Sequence, residues 1–140
     1  MRLPALAAAL ALIASTGEAQ TLTGIDWELL AIDGKVVDIP ATLRLEDDGA
    51  VSGEAPCNNW SSRNSASLPD LKLTGLRATR MACDRLEDEQ HFFDAVTRMQ
   101  GLALEGDRNL ILTGPDGRSM EFVPDVMNNL TRCTTCPPAE

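Results

Sequence analysis

The sequence predicts an α+β fold in which several antiparallel strands accompany a single helix. Two observations carry this prediction. Short segments of alternating apolar and polar residues are separated by glycine-containing turns, and one longer segment repeats its apolar residues at helical spacing. A sheet with this many hairpins limits its exposed edges by curling, so we expect a small, partly open antiparallel β-barrel with one inserted helix.

The predicted strands are joined by turns with clear sequence signals. Asp26 to Ile32 forms the first strand. Alternation over residues 43–45 and 51–55 predicts a hairpin around Asp47-Asp48-Gly49, where glycine supplies the positive φ of the reversal. Residues 61–70 are rich in serine and asparagine and predict a loop. The other predicted strands cover residues 71–76, 102–104, 110–112 and 120–123.

One helix is predicted between residues 84 and 101. Asp84 is the expected N-cap, and Glu87 stands three residues later as its capping-box partner. Gly101 is the expected stop. The apolar residues that recur at helical spacing are Leu86, Phe92, Phe93, Val96 and Met99. We expect this face to pack against the sheet.

The N-terminal residues predict export. Arg2 precedes an apolar run from Leu3 to Ala14, and the small residues of Gly17-Glu18-Ala19 predict cleavage before Gln20. The run is shorter than the roughly 20 residues that a spanning helix needs, and no cysteine follows it for a lipid anchor. We therefore predict a cleaved signal peptide over residues 1–19 and a periplasmic or secreted mature chain.

The mature chain has the size of one domain. Loss of Arg2 and Glu18 with the signal leaves the formal charge at -9. An acidic chain without a basic, aromatic surface does not fit nucleic acid, and it lacks the basic amphipathic face that anionic lipid attracts. We expect a soluble monomer with neither a nucleic-acid partner nor a membrane span.

Four cysteines in an exported chain indicate disulfides. Three pairings are possible. We favour Cys57–Cys83 together with Cys133–Cys136, because Cys57 and Cys83 each lie where a strand meets a turn. The alternative for Cys83 is a reactive thiol at a helix N-terminus, but the acidic residues that follow oppose the required lowering of its pKa.

The segment Cys133-Thr134-Thr135-Cys136 has the spacing of a thiol-redox pair. Pro137-Pro138 follows it, where a redox pair needs a helix to stabilise the thiolate. We favour a local disulfide in a tail over residues 125–140, with redox and metal-binding alternatives left open. A metal would need further ligands, and the only histidine is His91 on the helix. We expect truncation after Asp125 to leave a folded domain, because the tail has little to bury.

Other residues predict at most a binding surface. A single histidine supports no Ser-His-Asp or Cys-His arrangement. Capping and the helix dipole already explain the acids of the first helical turn, which are Asp84, Glu87, Asp88 and Glu89. We therefore predict no catalytic residue, metal site or cofactor. Four arginines close in sequence to the two inner cysteines could hold an anion, but we favour scattered surface ion pairs; they are Arg63, Arg77, Arg80 and Arg85. The possible binding surface comprises Asn58, Asn59, Trp60, Arg77 and Arg80. Trp60 would line a groove if exposed and seal the core if buried.

Several short motifs occur in a fixed order over residues 22–124. They are Trp27-Glu28-Leu29, Ile32-Asp33-Gly34, Gly49, Cys57-Asn58, Thr79-Arg80-Met81-Ala82-Cys83, and Leu110-Ile111-Leu112 followed by Asp116-Gly117. This order resembles the META domain family of small secreted or envelope proteins, typified by the heat-shock-inducible HslJ-like proteins. The resemblance implies a conical antiparallel barrel with a helix inserted late in the chain. It also implies a link to stress, but no reaction. Pro56 and Trp60 replace the glycine and tyrosine common at these places.

Taken together, these features predict a signal peptide over 1–19, a META-like domain over 20–124 and a tail with a CxxC pair over 125–140. The predicted function is that of a non-enzymatic exported protein of the bacterial envelope, linked to envelope stress, which binds a protein or a small apolar ligand. The alternative is a thiol-redox protein that uses Cys133 and Cys136.

Overall fold

The computed structural model describes residues 21–106, 108–128 and 133–138. The predicted signal peptide lies outside them. The strands are β1 (Asp26–Ile32), β2 (Lys35–Val36), β3 (Thr42–Leu45), β4 (Ala50–Glu54), β5 (Asn59–Asn64), β6 (Leu73–Ala78), β7 (Gly101–Glu105), β8 (Asn109–Thr113) and β9 (Ser119–Val123). The helix α1 spans Leu86–Val96, and a short 3-10 turn spans Pro115–Gly117.

The described strands form one antiparallel sheet in the order β6-β5-β4-β3-β1-β9-β8-β7, with β2 paired to β1. Strands β6 and β7 are its two edges, so the sheet is not closed. Asp70 makes an isolated bridge to Gly101 at the β7 edge. The predicted α+β class is thus confirmed as one antiparallel sheet with one helix, whereas the conical barrel stays an expectation.

The turn residues place the hairpins where the sequence predicts them. Gly49 turns β3 into β4 with a φ of 86°. Asp33 and Gly34, with φ angles of 49° and 72°, make a further tight hairpin between β1 and the two-residue β2, a strand that the sequence pattern does not predict. The prediction of a loop over residues 61–70 is wrong for its first part, because β5 runs to Asn64. The backbone of β5 pairs with β4 on one side and with β6 on the other.

The helix is shorter than predicted at both ends. Arg85, not Asp84, occupies the N-cap position and makes no side-chain cap bond. The Arg85 side chain instead bonds Asp88 at 2.7 Å, so an ion pair takes the place of the predicted capping box. The helix ends at Val96, and Gly101 is already the first residue of β7.

The main core lies between the sheet and α1. Trp60 is 3% exposed, and its ring stands edge-on to Phe92 and Phe93 at centroid distances of 5.7 and 6.3 Å. Its indole Nε1 donates to the carbonyl oxygen of Thr42 at 3.2 Å. Trp60 therefore seals the core, since its apolar body and its polar atom both have internal partners.

Gly53 of β4 is needed because the chain passes too close for a side chain. A Cβ at this position would overlap the backbone oxygen of Thr42 and lie 2.8 Å from Trp60 Nε1. We expect Gly53→Ala to lower the free energy of unfolding by about 1–3 kcal/mol, because the backbone at Thr42 must move to admit the added methyl group. Gly101→Ala is the matched control, since its Cβ would meet ordinary contacts at 3.5 Å or more. Urea melts that shift equally for both variants would contradict this interpretation.

Candidate functional site

The predicted binding surface is divided by the fold. Asn59, Arg77 and Arg80 are exposed, but Asn58 and Trp60 are 6% and 3% exposed. Asn58 and Trp60 are therefore not part of an exposed surface, and of the two alternatives for Trp60 the structure shows the buried one. The physical reason for Trp60 is its packing on α1. For Asn58, the reason is a set of internal hydrogen bonds.

Asn58 ties three segments together beside the Cys57–Cys83 disulfide. Its amide nitrogen donates to Glu89 Oε1 at 2.7 Å, and its Oδ1 accepts from the backbone nitrogen of Met81 at 2.6 Å. The backbone nitrogen of Cys57 donates to Glu89 Oε2 at 2.8 Å. The buried Glu89 carboxylate is thus a structural tie between α1 and the Cys57 turn. The position of Glu89 in the first helical turn predicts only an interaction with the helix dipole.

Both predicted disulfides are present. Cys57 and Cys83 have Cα atoms 5.6 Å apart, and Cys133 and Cys136 have Cα atoms 5.4 Å apart. In this state neither pair offers a thiolate to a metal or a substrate. The first bridge fixes the segment between β4 and β5 to the start of α1.

A groove of about 490 Å³ opens beside this bridge. Most of its lining is apolar and comes from the segment between β2 and β3, the end of β4, and the residues after β9. The apolar lining residues are Leu29, Val37, Ile39, Pro40, Ala41, Ala55, Pro56, Val126 and Met127. The Met127 side chain is 80% exposed. An apolar lining of this kind favours an apolar ligand.

The groove walls are held by specific contacts. Glu28 Oε2 accepts a hydrogen bond from the backbone nitrogen of Val126 at 2.8 Å, which fixes the wall after β9. Arg85 donates to the backbone oxygen of Asp38 and lies 3.8 Å from its carboxylate, which fixes the wall after β2. These contacts anchor two walls of the groove.

The polar residues of the groove give it a negative rim. Glu28, Asp38 and Glu54 are its charged lining residues, and Asp38 and Glu54 are exposed. Arg85 at 3.8 Å offsets part of the Asp38 charge, so the rim remains negative through all three carboxylates together. In a chain of net charge -9, such a rim favours a positive group on the ligand.

The C-terminal segment forms a second site around Glu121, which is fully buried. The backbone nitrogens of Thr134 and Thr135 donate to its carboxylate at 2.8 and 3.0 Å. Their hydroxyls donate at 3.0 and 2.6 Å, and Asn109 Nδ2 donates at 2.5 Å. Burial raises the pKa of Glu121, but the hydrogen bonds from Thr134, Thr135 and Asn109 outweigh it and hold the pKa below its ordinary value.

The expectation that the tail has little to bury is wrong. Cys133 and Cys136 pack against Leu30, Ala31 and Val123, a small apolar cluster separate from the main core. The tail itself has no periodic apolar pattern that would predict this packing. A lone glutamate amid the apolar strand Met120–Val123 was the available clue, since a buried carboxylate needs donors.

The surroundings of Cys133 oppose redox catalysis. Its Sγ lies 3.2 Å from Glu121 Oε2. A disulfide sulfur carries no proton, so this is a close contact and not a donated bond. A carboxylate at this distance raises the energy of a thiolate, whereas redox-active cysteines need positive surroundings.

Two remaining candidates have ordinary positions. His91 is exposed on α1. Arg63 and Arg77 line a shallow surface depression between β5 and β6, where Arg63 already donates to the backbone oxygen of Asp48 at 3.0 Å. Arg85 is engaged at the groove wall, so the arginines that are close in sequence do not form one site.

Over the residues that the structure describes, the chain is an antiparallel sheet with one helix and a groove of about 490 Å³. The META domain family matches residues 20–127, and the chain belongs to this family. No curated protein matches the sequence. In the part of the chain that the structure describes, no helix is both long and apolar enough to span a bilayer.

Solved structures share the fold. An NMR structure of a protein from Burkholderia xenovorans is 20% identical, with a TM-score of 0.58, over 88% of this chain and 99% of that one. A second NMR structure is 23% identical, with a TM-score of 0.56, over 76% and 95%. The crystal structure of a DUF4847 family protein from Bacteroides vulgatus ATCC 8482 is 12% identical, with a TM-score of 0.56, over 74% and 94%.

Proposed function

We propose that this META-domain protein is a non-catalytic binding module of the bacterial envelope, and that it binds an apolar segment of a partner protein flanked by lysine or arginine. The observation that carries the proposal is the groove of about 490 Å³, with its apolar lining and its acidic rim. The lining supplies the affinity, and the rim selects the charge of the partner.

The sequence features support export to the envelope. A positively charged start, an apolar run and a small-residue cleavage site precede the domain. Two disulfides fit an oxidising compartment. The link to envelope stress rests on the resemblance to HslJ-like proteins.

A matched pair of small probes tests whether the groove prefers a positively charged ligand. The cation 4-phenylbutylammonium and the anion 4-phenylbutyrate share one apolar body and differ in sign. In an NMR titration of the exported protein, we expect the cation to shift the amide signals of Val37, Ile39, Ala41 and Ala55, with an affinity of about 1 mM. We expect the anion to bind at least threefold more weakly.

Rim variants test the role of the carboxylates. We expect the pair Asp38→Asn and Glu54→Gln to weaken binding of the cation about three- to tenfold, because each exposed charge contributes at most about 1 kcal/mol. Glu87→Gln with Glu105→Gln is the matched control, since it removes the same charge from exposed positions outside the groove lining. Equal binding of both probes, or equal loss in both double variants, would contradict the proposed selectivity.

A further inference from the structure

The Cys133–Cys136 disulfide closes a small ring, the C-terminal ring, whose two inner residues are Thr134 and Thr135. Both inner backbone nitrogens and both inner hydroxyls point at one carboxylate, that of Glu121. Converging donors of this kind make a strong anion site. Here the anion belongs to the protein itself.

The buried state of Glu121 depends on the ring. Of the five hydrogen bonds to its carboxylate described above, four come from Thr134 and Thr135 and one from Asn109 of β8. A carboxylate buried without such donors would be costly. Undocking of the ring therefore means that Glu121 meets water.

The ring also fits closely against the body of the domain. Its cysteines cover Leu30, Ala31 and Val123. The turn between β1 and β2 makes room for it, because a Cβ on Gly34 would lie 2.8 Å from the backbone oxygen of Thr135. The contact is thus a shaped interface that involves β1, β9 and this turn.

The disulfide organises the donors before they dock. In the loop-closure description, a bridge over a ring this small favours the closed conformation roughly twentyfold. Loss of the bridge leaves the same donors on an open segment, which must order both amides at once to hold the carboxylate.

We propose that the C-terminal ring is a redox-controlled latch. With the disulfide formed, the ring caps Glu121 and covers Leu30, Ala31 and Val123. Once the disulfide is reduced, the ring undocks and exposes this acidic and apolar patch on β1 and β9. The latch would operate whatever ligand the groove binds.

The reductant is a dithiol. One of its thiolates attacks a sulfur of the Cys133–Cys136 bond, forms a mixed disulfide and displaces the other cysteine as a thiolate, which takes up a proton. The second thiol of the reductant then attacks the mixed disulfide. The dithiol leaves as a disulfide, and Cys133 and Cys136 have together gained two electrons and two protons.

Amide hydrogen exchange on the exported protein tests the latch. In the Cys133→Ser/Cys136→Ser variant we expect the protection of the Thr134 and Thr135 amides to fall at least tenfold more than that of β8 amides such as Ile111, whose protection falls only with the global stability of the variant. Unchanged protection of Thr134 and Thr135 would overturn the latch. An equal fall in protection at the ring and throughout the sheet would also overturn it, because the bridge would then act only through the stability of the whole fold.

The wild-type protein provides a test that needs no variant. Under graded dithiothreitol, protection at Thr134 and Thr135 should fall in step with reduction of Cys133–Cys136, as followed by peptide mass spectrometry, and should return on reoxidation. Persistent protection after this bridge is reduced would refute the proposal. Glu121→Gln, which removes the charge but keeps the shape, should lower the same protection with the bridge intact. Full protection in that variant would show that the ring does not depend on the carboxylate.

Discussion

Truncation after Asp125 is expected to lower the free energy of unfolding by about 2–4 kcal/mol. The shortened chain loses the donors from Thr134 and Thr135 to the Glu121 carboxylate and uncovers the apolar cluster at Leu30. Water forms hydrogen bonds to the uncovered carboxylate in place of the protein donors. The expected loss of stability is therefore only the net contribution of these charge-assisted hydrogen bonds. Chemical denaturation of both chains measures it. Truncation after Pro138, which keeps the C-terminal ring, is the control.

The difference in stability between the full chain and the chain truncated after Asp125 should depend on pH. Because the folded pKa of Glu121 lies below its ordinary value of 4.5, the ionised form stabilises the full chain above about pH 4.5. This contribution is lost as the pH falls from 4.5 through the lowered folded pKa. The difference between the full and truncated chains should therefore shrink in acid. A difference that is constant down to pH 3, or absent at pH 7, would contradict the docking of the tail on Glu121.

Replacement of Cys57 and Cys83 by serine is expected to cost about 3.5 kcal/mol and to lower the melting temperature by roughly 10 °C or more. The bridge closes a long loop, with a sequence separation of 26. Its loss frees the unfolded chain and loosens the groove wall at Pro56. Thermal melting followed by circular dichroism measures the change.

The second cysteine pair serves as the control for the first. Cys133→Ser/Cys136→Ser opens a ring with a sequence separation of only 3, so the loop-entropy part of its cost is smaller, about 2 kcal/mol. An unchanged melting curve for the Cys57 and Cys83 variant would argue that this bridge does not form. A larger loss for the Cys133 and Cys136 variant would contradict the loop-length argument.

The sequence predicted those parts of the fold that have local causes. The reversal at Gly49 follows from a glycine at positive φ, and the apolar period of α1 follows from burial of one face. Cys57 and Cys83 could be paired because each lies where a strand meets a turn. The resemblance to the META family agrees with this single helix late in the chain.

The sequence could not predict features that depend on distant contacts. Strand β5 looked like a loop, because its polar side chains say nothing of the backbone bonds to β4 and β6. Glu89 looked like a dipole-stabilising acid, yet it binds Asn58 across 31 positions of the chain. The tail looked unstructured because its partners, Glu121 and Leu30, belong to separate strands. The groove likewise combines segments far apart in the sequence.

Both proposals require that the two disulfides form in an exported chain, since one braces the groove and the other closes the ring. Mass spectrometry of the protein taken from the periplasm or the medium without reduction tests this directly. We expect a chain that begins at Gln20, with peptides linked as Cys57–Cys83 and Cys133–Cys136. A protein retained in the cytoplasm with free thiols, or a crossed pairing such as Cys57–Cys133, would contradict the account.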